Sequence, residues 1–266
     1  MISGEGRHAI GWADVATAYA ATFAPLCAGT LDPLLSAAGV GAGVRVLDVG
    51  AGTGELAVRA EALGAEVTAV DPDVGMLDLA ASLVGGARLQ RAALPDLPFG
   101  DGGFDAVLAN FVVNHVPDPR AGVRELARVT APGGRVGVTI WPSGQNTQSR
   151  LWAAVIAESG AVVPPSVGLP VDLDFPRTLQ GLADLLAGAG LRVVDARPLA
   201  WVHRTEPDAL WRGAAAGVGG IGTVVISQSD EVREAMRSAY DRLVLPLVHE
   251  GELVLPTEAL LAVGTR

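Results

Sequence analysis

The sequence predicts an α/β fold built on a doubly wound, mostly parallel sheet of seven strands, with helices on both faces and a helical cap. Two observations carry this prediction. Between residues 44 and 141, short and nearly all-apolar segments alternate with helix-like ones, as in parallel sheets whose strands are joined by helices. The first apolar segment runs into "RVLDVGAGTGELA", whose three alternating glycines predict a strand, a tight turn and a helix.

The elements follow in order along the chain. The first forty residues predict helices, because apolar side chains recur at helical spacing up to Phe23 and a second apolar segment ends at Gly39. The predicted strands of the first half lie at 44–49, 66–71, 87–92, 104–111 and 134–141, the last one after an "APGG" turn. The predicted helices between them lie at 55–63, 74–83 and 119–130.

Beyond Trp141 the alternation loosens, and a polar loop and a proline-broken connection interrupt the pattern. The predicted elements are helices at 150–159, 178–190 and 229–248, a strand at 191–204 and a last strand near the end of the sequence. We expect these later segments to lie over the sheet and not to form a domain of their own.

The composition limits the kinds of molecule that the chain is expected to bind. The chain has 266 residues and a net charge of −10, which disfavours nucleic acid because its binders present a basic face. Cys27 is the single cysteine, which excludes an intramolecular disulfide or a cysteine-based zinc cluster. The start lacks a secretory pattern and no segment is a good membrane span. We expect a cytoplasmic monomer or homodimer that binds a small molecule and neither nucleic acid nor membrane.

Two acidic residues accompany the glycine turn. Asp48 precedes the turn and Asp71 ends the next strand, where an acid can accept both hydroxyls of a ribose. The alternative for Asp71 is a helix N-cap before "PDVGML". Because a carboxylate at the mouth of the turn would repel a pyrophosphate, Asp48 favours a ligand that carries an ammonium group and a sulfonium over a nicotinamide dinucleotide.

Four segments together resemble class I S-adenosylmethionine-dependent methyltransferases: "VLDVGAGTGELA", "VTAVDPDVGMLDLA", "LPDLPFGDGGFDAVLANFVVNHVPDP" and "ELARVTAPGGRVGVT". Within that superfamily they are most similar to the small-molecule group in which a His-Val-Pro-Asp segment follows the fourth strand. The resemblance covers about residues 44–140 and implies a Rossmann-like sheet. It also implies one methyltransferase domain over 1–266, with an N-terminal helical lid at 1–43, a cofactor-binding core at 44–141 and cap segments at 142–175 and 203–250.

The resemblance assigns the S-adenosylmethionine site by position. The assigned residues are Tyr19, Asp48, Gly50, Ala51, Gly52, Gly54, Asp71, Pro72, Met76, Ala93, Leu94 and Asn110. Asp48 and the Gly50–Gly54 turn would face the methionine part, which Asn110 would also line. Asp71 would hold the ribose, Pro72 and Met76 would lie near the adenine, and the Leu94 amide would meet its ring. Tyr19 and Phe23 would close over the site.

One position departs from the family pattern. Relatives often have Asp-Ala where this chain has Ala93-Leu94, and that Asp bonds the adenine amino group. Ala93 has no side-chain acceptor, so the contact is either missing or supplied by another group such as Asp96.

Methyl transfer from a sulfonium demands alignment more than catalytic groups, with a base where the acceptor carries a proton. His115 is the candidate catalytic base, and the alternative is a histidine that only positions the loop or the cofactor. His203 is expected to be an ordinary surface histidine. The sequence contains no Asp/Asn cluster for magnesium, so we expect no metal.

The tryptophans Trp141, Trp152, Trp201 and Trp211 fall in or beside the covering segments. They are either core residues or the lining of an apolar pocket. We therefore expect O-, N- or C-methylation of a small, apolar organic acceptor, in secondary metabolism. The alternatives are an enzyme of the same fold that uses S-adenosylmethionine in a non-methylating cyclisation or rearrangement, and a nonenzymatic partner subunit of a methyltransferase.

Overall fold

The computed structural model describes residues 12–144, 146–165 and 169–266. Its strands are β1 (Arg45–Val49), β2 (Glu66–Asp71), β3 (Arg88–Arg91), β4 (Phe104–Asn110), β5 (Thr130–Ile140), β6 (Arg192–Thr205), β7 (Val248–His249) and β8 (Glu252–Thr265). The first four strands begin and end within one residue of the predicted positions.

The α-helices of the described ranges are α1 (Trp12–Thr22), α2 (Ala24–Cys27), α3 (Leu31–Ala37), α4 (Glu55–Ala62), α5 (Val74–Leu83), α6 (Pro119–Val129), α7 (Thr147–Ser159), α8 (Leu179–Gly188), α9 (Pro207–Ala215), α10 (Gly219–Ile226) and α11 (Asp230–Leu243). Two short 3₁₀ helices lie at Ala28–Thr30 and Leu245–Leu247. In the second half of the chain, α9 and α10 are helices that the sequence patterns did not predict.

The strands form one sheet in the order β3-β2-β1-β4-β5-β8-β6, and the two-residue β7 pairs with β8 as an eighth strand beyond the seven predicted. Strand β1 is parallel to β2 on one side and to β4 on the other, while β5 and β8 are antiparallel. The predicted α/β fold with a mostly parallel sheet is confirmed.

Chain order reverses at β1, since β2 and β3 lie on one side of it and β4 and β5 on the other. Ligands of doubly wound sheets bind outside the carboxyl ends of the strands at such a switch point. Asp48, near the carboxyl end of β1, is level with Ala69 of β2 and Leu108 of β4. This register brings the predicted site residues of three strands to one edge.

The chain divides into two compact units. One unit holds the described residues within 1–27, 144–168 and 200–257, and the other holds 28–143, 169–199 and 258–266. The prediction of a single domain with a lid and cap segments stays a prediction, and residues 1–11 of the lid 1–43 lie outside the described residues.

Each unit has its own apolar core. In the unit that contains β1 to β5, the core combines strand residues such as Leu47 and Val107 with Leu126 of α6 and Leu182 of α8. In the other unit, Trp152, Trp211 and Tyr240 pack together, with Trp152 and Tyr240 stacked at a ring-centroid distance of 5.3 Å. Trp152 and Trp211 are therefore core residues of that unit.

Three local predictions were wrong. The "APGG" segment lies inside β5 and not in a turn, because a register shift between Phe104 and Ala106 absorbs the irregularity. The last predicted helix ends at Leu243, where a 3₁₀ turn follows. His203 is buried at 8% exposure, and burial lowers its pKa, so it is not a surface histidine.

Within the described ranges, no single helix is both long enough and apolar enough to cross a bilayer. Helices α9 and α10 meet the length and composition only when taken together, and the chain bends by 64° between them.

Helix α6, which follows the fourth strand, yields a stability prediction. The Asp118 side chain caps this helix by accepting a 2.9 Å hydrogen bond from the Ala121 amide, and Pro119 occupies the first turn. Asp118→Ala should lower the free energy of unfolding by about 1 kcal/mol, while Asp118→Asn should cost little because Asn caps equally well. Urea unfolding measures both, with Arg124→Ala on the exposed face of α6 as the control. Equal losses for Ala and Asn would show that the charge matters and not the cap.

Candidate cofactor site at the carboxyl ends of the strands

The turn between β1 and α4 requires its glycines for backbone reasons. Gly50, Gly52 and Gly54 have φ angles of 69°, 54° and 94°, in the left-handed region that residues with a side chain rarely adopt. A Cβ on Gly50 would lie 2.5 Å from the Val112 side chain, and one on Gly54 would lie 3.0 Å from Ala80. Two of the three glycines are thus required by conformation and packing, whether or not a ligand passes close to them.

The amides of this turn are bound to the end of β2. The Gly50 and Ala51 amides donate to the Val70 carbonyl at 2.8 and 2.9 Å, and the Gly52 amide donates to Asp71 Oδ2 at 2.9 Å. The Gly54 amide closes the turn onto the Ala51 carbonyl at 3.0 Å. A pyrophosphate cradle needs amides that point at the ligand. These four amides are already used, so the turn does not offer them to a dinucleotide.

Asp71 lies at the carboxyl end of β2 and is 7% exposed. Its second oxygen, Oδ1, accepts from the Asp73 amide at 2.9 Å. Burial raises the pKa of this carboxyl, and the hydrogen bonds from the Asp73 and Gly52 amides oppose the rise. The N-cap of α5 is Asp73, whose side chain accepts from the Gly75 and Met76 amides, so the alternative of Asp71 as that cap is wrong.

Asp48 is the most unusual charged residue of the site. It is 1% exposed, and its Oδ2 has no hydrogen-bond partner among the described residues. Burial, and then the neighbouring charges of Asp71 and Glu55, raise its pKa to about 8, while a backbone hydrogen bond from Ala57 in the first turn of α4 opposes the rise. A buried acceptor without a partner is costly. The site therefore contains an acceptor that a ligand's hydrogen-bond donor would stabilise, and a cationic donor would stabilise it most.

S-adenosylmethionine carries donor groups that match the two acids of this site. Its methionine part carries an ammonium group, and its ribose carries a diol that the remaining lone pairs of the Asp71 oxygens can accept. The Asp48 oxygen is a buried acceptor, and the amides of the turn already donate to other groups. The site therefore suits a cationic ligand better than an anionic one.

At the end of β4, Asn110 is half-buried and its Oδ1 accepts hydrogen bonds from the Thr30 and Thr139 hydroxyls, at 2.7 and 2.5 Å. The next residue, Phe111, has a φ of 58°, a strained conformation for an aromatic residue. Its ring stacks on Trp141 with centroids 4.1 Å apart and planes 17° apart. Such outliers concentrate at functional sites. The sequence patterns did not single out Phe111.

The residues assigned to the adenine lie in the segments that follow β2 and β3. Met76 is buried at 4% exposure and Leu94 at 8%, while Pro72 and Ala93 are exposed. The Ala92 amide donates to the Asp71 carbonyl at 3.2 Å, which holds the segment after β3 against the end of β2. Their roles toward a cofactor stay predictions.

Asp96 lies beside Ala93, because its amide donates to the Ala93 carbonyl at 3.1 Å. Its side chain is exposed. Asp96 is thus close enough in the chain fold to replace the acceptor that Ala93 lacks, and that replacement stays a prediction.

Two further predicted site residues are Tyr19 and His115. Tyr19 belongs to the other unit, where it stacks on Phe23 at 6.2 Å, so its role as a lid stays a prediction. His115 is exposed, and its amide donates to the Val112 carbonyl at 2.8 Å in the turn after β4. Beside it, Asn114 Oδ1 is buried and has no hydrogen-bond partner among the described residues, which no pattern of the sequence indicates.

The described ranges contain no group of three or more His, Cys, Asp or Glu side chains placed to hold a metal ion.

The state of Asp48 predicts how the ligand-free protein responds to pH. With a native pKa of about 8 against an ordinary value of 3.8, Asp48 keeps its proton in the native state while the unfolded chain loses it. The contribution of Asp48 to the free energy of unfolding should therefore fall as pH rises from 5 to 8, by up to about 1.4 kcal/mol per pH unit. Asp48→Asn removes this titration, so its advantage in stability over the wild type should grow across the same range.

Urea unfolding at pH 5, 6, 7 and 8 measures the difference between wild type and Asp48→Asn. The matched control is Asp78→Asn on the exposed face of α5, which should keep a constant difference from wild type. A difference for Asp48→Asn that does not change with pH would contradict the protonated state.

Comparisons with known proteins show the family of this chain. Residues 47–138 match the model of the methyltransferase domain family. An uncharacterized protein of Mycobacterium tuberculosis is 42% identical over 112 residues, 41% of this chain and 41% of that protein. A demethylmenaquinone methyltransferase of Mycolicibacterium paratuberculosis is 41% identical over 170 residues, 58% of this chain and 70% of that enzyme. The chain thus spans about two fifths of the length of the first relative and more than two thirds of the second.

Solved structures share the fold. The YcgJ protein from Bacillus subtilis has a TM-score of 0.56 at 23% identity, with 89% of this chain and 97% of that chain covered. A Haemonchus contortus phosphoethanolamine N-methyltransferase, solved with S-adenosylhomocysteine, has a TM-score of 0.52 at 17% identity, with 89% of this chain and 52% of that chain covered.

The family follows from the domain match and from the relative that is 41% identical. The matched residues 47–138 contain the glycine turn and both acids of the site. The chain belongs to the S-adenosylmethionine-dependent methyltransferase family.

Proposed function

We propose that this chain binds S-adenosylmethionine at the carboxyl ends of β1 and β2 and transfers its methyl group to a small, apolar organic acceptor. The observation that carries the proposal is the buried Asp48 oxygen without a partner, in a site that also contains Asp71. When bound, the cofactor would supply a methyl group already activated by the sulfonium.

The methionine part would lie against the turn 50–54, with its ammonium group toward Asp48. Since the amides at Gly50, Ala51 and Gly52 donate to β2, the turn can offer carbonyl acceptors to that ammonium group. Asp71 would accept the ribose hydroxyls while its carboxylate stays held by two backbone amides. These amides fix the orientation of the carboxylate before any ligand arrives, which lowers the entropic cost of binding.

The adenine would lie near Pro72 and Met76, with the Leu94 amide at its edge and Asp96 in place of the acceptor that Ala93 lacks. Asn110 would line the methionine end from β4. We place the chain in the small-molecule group because its segment His115–Asp118, after the fourth strand, matches the His-Val-Pro-Asp pattern of that group.

The aromatic pair next to Asn110 indicates the chemical class of the methyl acceptor. Phe111 and Trp141 form a stacked pair at the ends of β4 and β5, and such rings favour contact with an apolar or planar molecule. A relative of 41% identity is named a demethylmenaquinone methyltransferase, and this name supports the same class of acceptor. Trp152 and Trp211 give no support, because they pack in the core of the other unit.

Catalysis would consist mainly of alignment and exclusion of water, because the sulfonium is already a good leaving group. Where the acceptor carries a proton, His115 would act as the base. Its exposure and its place in the turn after β4 permit contact with a bound acceptor, and the alternative is a positioning role.

The test is calorimetry with S-adenosylmethionine, followed by mass spectrometry of a panel of quinols, phenols and amines incubated with enzyme and methyl-labelled cofactor. We expect binding, a labelled product and S-adenosylhomocysteine in equal amounts. A chain that does not bind the cofactor would refute the proposal. A product of unchanged mass without S-adenosylhomocysteine would support the cyclisation or rearrangement instead.

The ribose contact gives a sharper prediction. Compared with 5′-methylthioadenosine, its 2′-deoxy analogue should bind about tenfold or more weakly, because one hydrogen bond to a carboxylate is lost. In Asp71→Asn the two ligands should bind almost alike. Asp73→Asn, which keeps the cap of α5 and removes a charge two residues away, should retain the full discrimination. Equal discrimination in Asp71→Asn and wild type would exclude Asp71 from the ribose site.

The role of His115 is tested once an acceptor with an O–H or N–H group is found. As a base, His115→Ala should slow the chemical step by about 10²- to 10⁴-fold and leave cofactor affinity unchanged. His115→Gln should then be equally slow, whereas a positioning histidine would be rescued in part by Gln. Single-turnover rates of wild type and both variants make the measurement. If His115→Gln reacts at nearly the wild-type rate, His115 is not a base and contributes only by positioning.

A further inference from the structure

We propose that the ammonium group of the cofactor enters this site in exchange for a proton held by Asp48, so that cofactor binding releases a proton to solvent. The inference rests on the proposed function, because it needs S-adenosylmethionine at the glycine turn. It adds a property of the binding step, namely selection for ligands that carry the ammonium group.

In the part of the chain that the structure describes, the charged groups that act on Asp48 are acidic. From β2 it faces Asp71, and from α4 it faces Glu55, both of which are acidic. The neighbouring strand β4 ends at Asn110, which is uncharged. Among the described residues, no ion pair joins Asp48 to an arginine or histidine.

Hydrogen bonds do not compensate for the missing charge. The Ala57 amide at the start of α4 is the one favourable backbone contact of the carboxyl, and Oδ2 has no partner at all among the described residues. An isolated carboxylate at 1% exposure is expensive, and the group takes up a proton instead. The same burial explains why the pKa of Asp48 rises to about 8. We therefore expect the ligand-free carboxyl to hold its proton at pH values below this pKa.

Binding of an ammonium group reverses this balance. The protonated carboxyl loses its O–H proton to solvent, and the resulting carboxylate accepts a hydrogen bond from the ammonium group, directly or through one water. No other bond changes, and the ammonium group keeps its own protons. The attraction between the two opposite charges in a buried site replaces the O–H bond that is lost.

The exchange makes the site selective. A ligand that has the same adenosine part but no ammonium group, such as 5′-methylthioadenosine, leaves Asp48 protonated and releases nothing. S-adenosylmethionine and S-adenosylhomocysteine both carry the group, so both release the proton.

The test is titration calorimetry at pH 6.5 in phosphate, HEPES and Tris, whose different ionisation enthalpies report the protons released. Wild type should release about one proton per S-adenosylmethionine bound, because Asp48 is protonated before and ionised after binding. It should release none with 5′-methylthioadenosine. Asp48→Asn should release none with either ligand, and Glu55→Gln should still release the proton with S-adenosylmethionine.

A second measurement covers the case in which Asp48→Asn no longer binds the cofactor. Between pH 5 and pH 7 the affinity of wild type for S-adenosylmethionine should increase by about tenfold per pH unit, whereas the affinity for 5′-methylthioadenosine should stay constant. Parallel pH dependence of the two ligands would overturn the inference.

The remaining outcomes are separable. Tight binding of S-adenosylmethionine without proton release would overturn the inference and leave the proposed function intact. Proton release that persists in Asp48→Asn would overturn it by assigning the proton to another group. Absence of binding by wild type would overturn the proposed function itself.

Discussion

The attachment of the β1–α4 turn to the end of β2 determines the rest of the site. The Val70 carbonyl and the Asp71 carboxylate together receive three amides of the turn. These bonds fix where β1 ends and where α4 begins, and they hold Asp71 in one orientation. They also bring the buried carboxyl of Asp48 close to a second acid, while its Oδ2 has no partner among the described residues. A turn that presented its amides outward would bind an anion. In this turn the amides point into the protein, and the group left without a partner among the described residues is an acceptor, Asp48 Oδ2. The site therefore favours a cation.

The fold and the meeting of the two acids were predictable from the sequence because both follow from simple geometry. Apolar strands that alternate with helices form a parallel sheet, and the carboxyl ends of parallel strands lie at one edge. Other details were left open by the sequence or predicted wrongly, because they depend on the folded surroundings of the residues. The cap of α5 is Asp73 and not Asp71, a choice that two nearby acids leave open in the sequence. His203 is buried because of what packs around β6, and nothing in its own segment indicates this.

The glycines illustrate what sequence reasoning can miss even when its conclusion holds. Their density indicates that a ligand approaches the backbone, but Gly50 and Gly54 are also required by positive φ angles and by contacts with Val112 and Ala80. A turn of this shape would need them without any ligand. The stronger indication of a ligand is the Asp48 oxygen that lacks a partner. No sequence pattern reveals it, because a missing hydrogen bond is a property of the folded surroundings and not of the residue.

The environment of Asn110 has a further consequence for the polarity of the site. Two threonine hydroxyls, from Thr30 and Thr139, donate to its Oδ1, so the carbonyl side of the amide is saturated and the amide plane cannot flip without losing both bonds. The NH₂ side takes no part in these bonds. An aspartate at this position would accept the same two hydroxyls but would offer only another acceptor. The asparagine instead places two donor hydrogens at an edge where Asp48 and Asp71 supply acceptors. The amino acid end of a methionine is a zwitterion, so in the proposed site its carboxylate would accept from such donors while its ammonium group would donate to the acids.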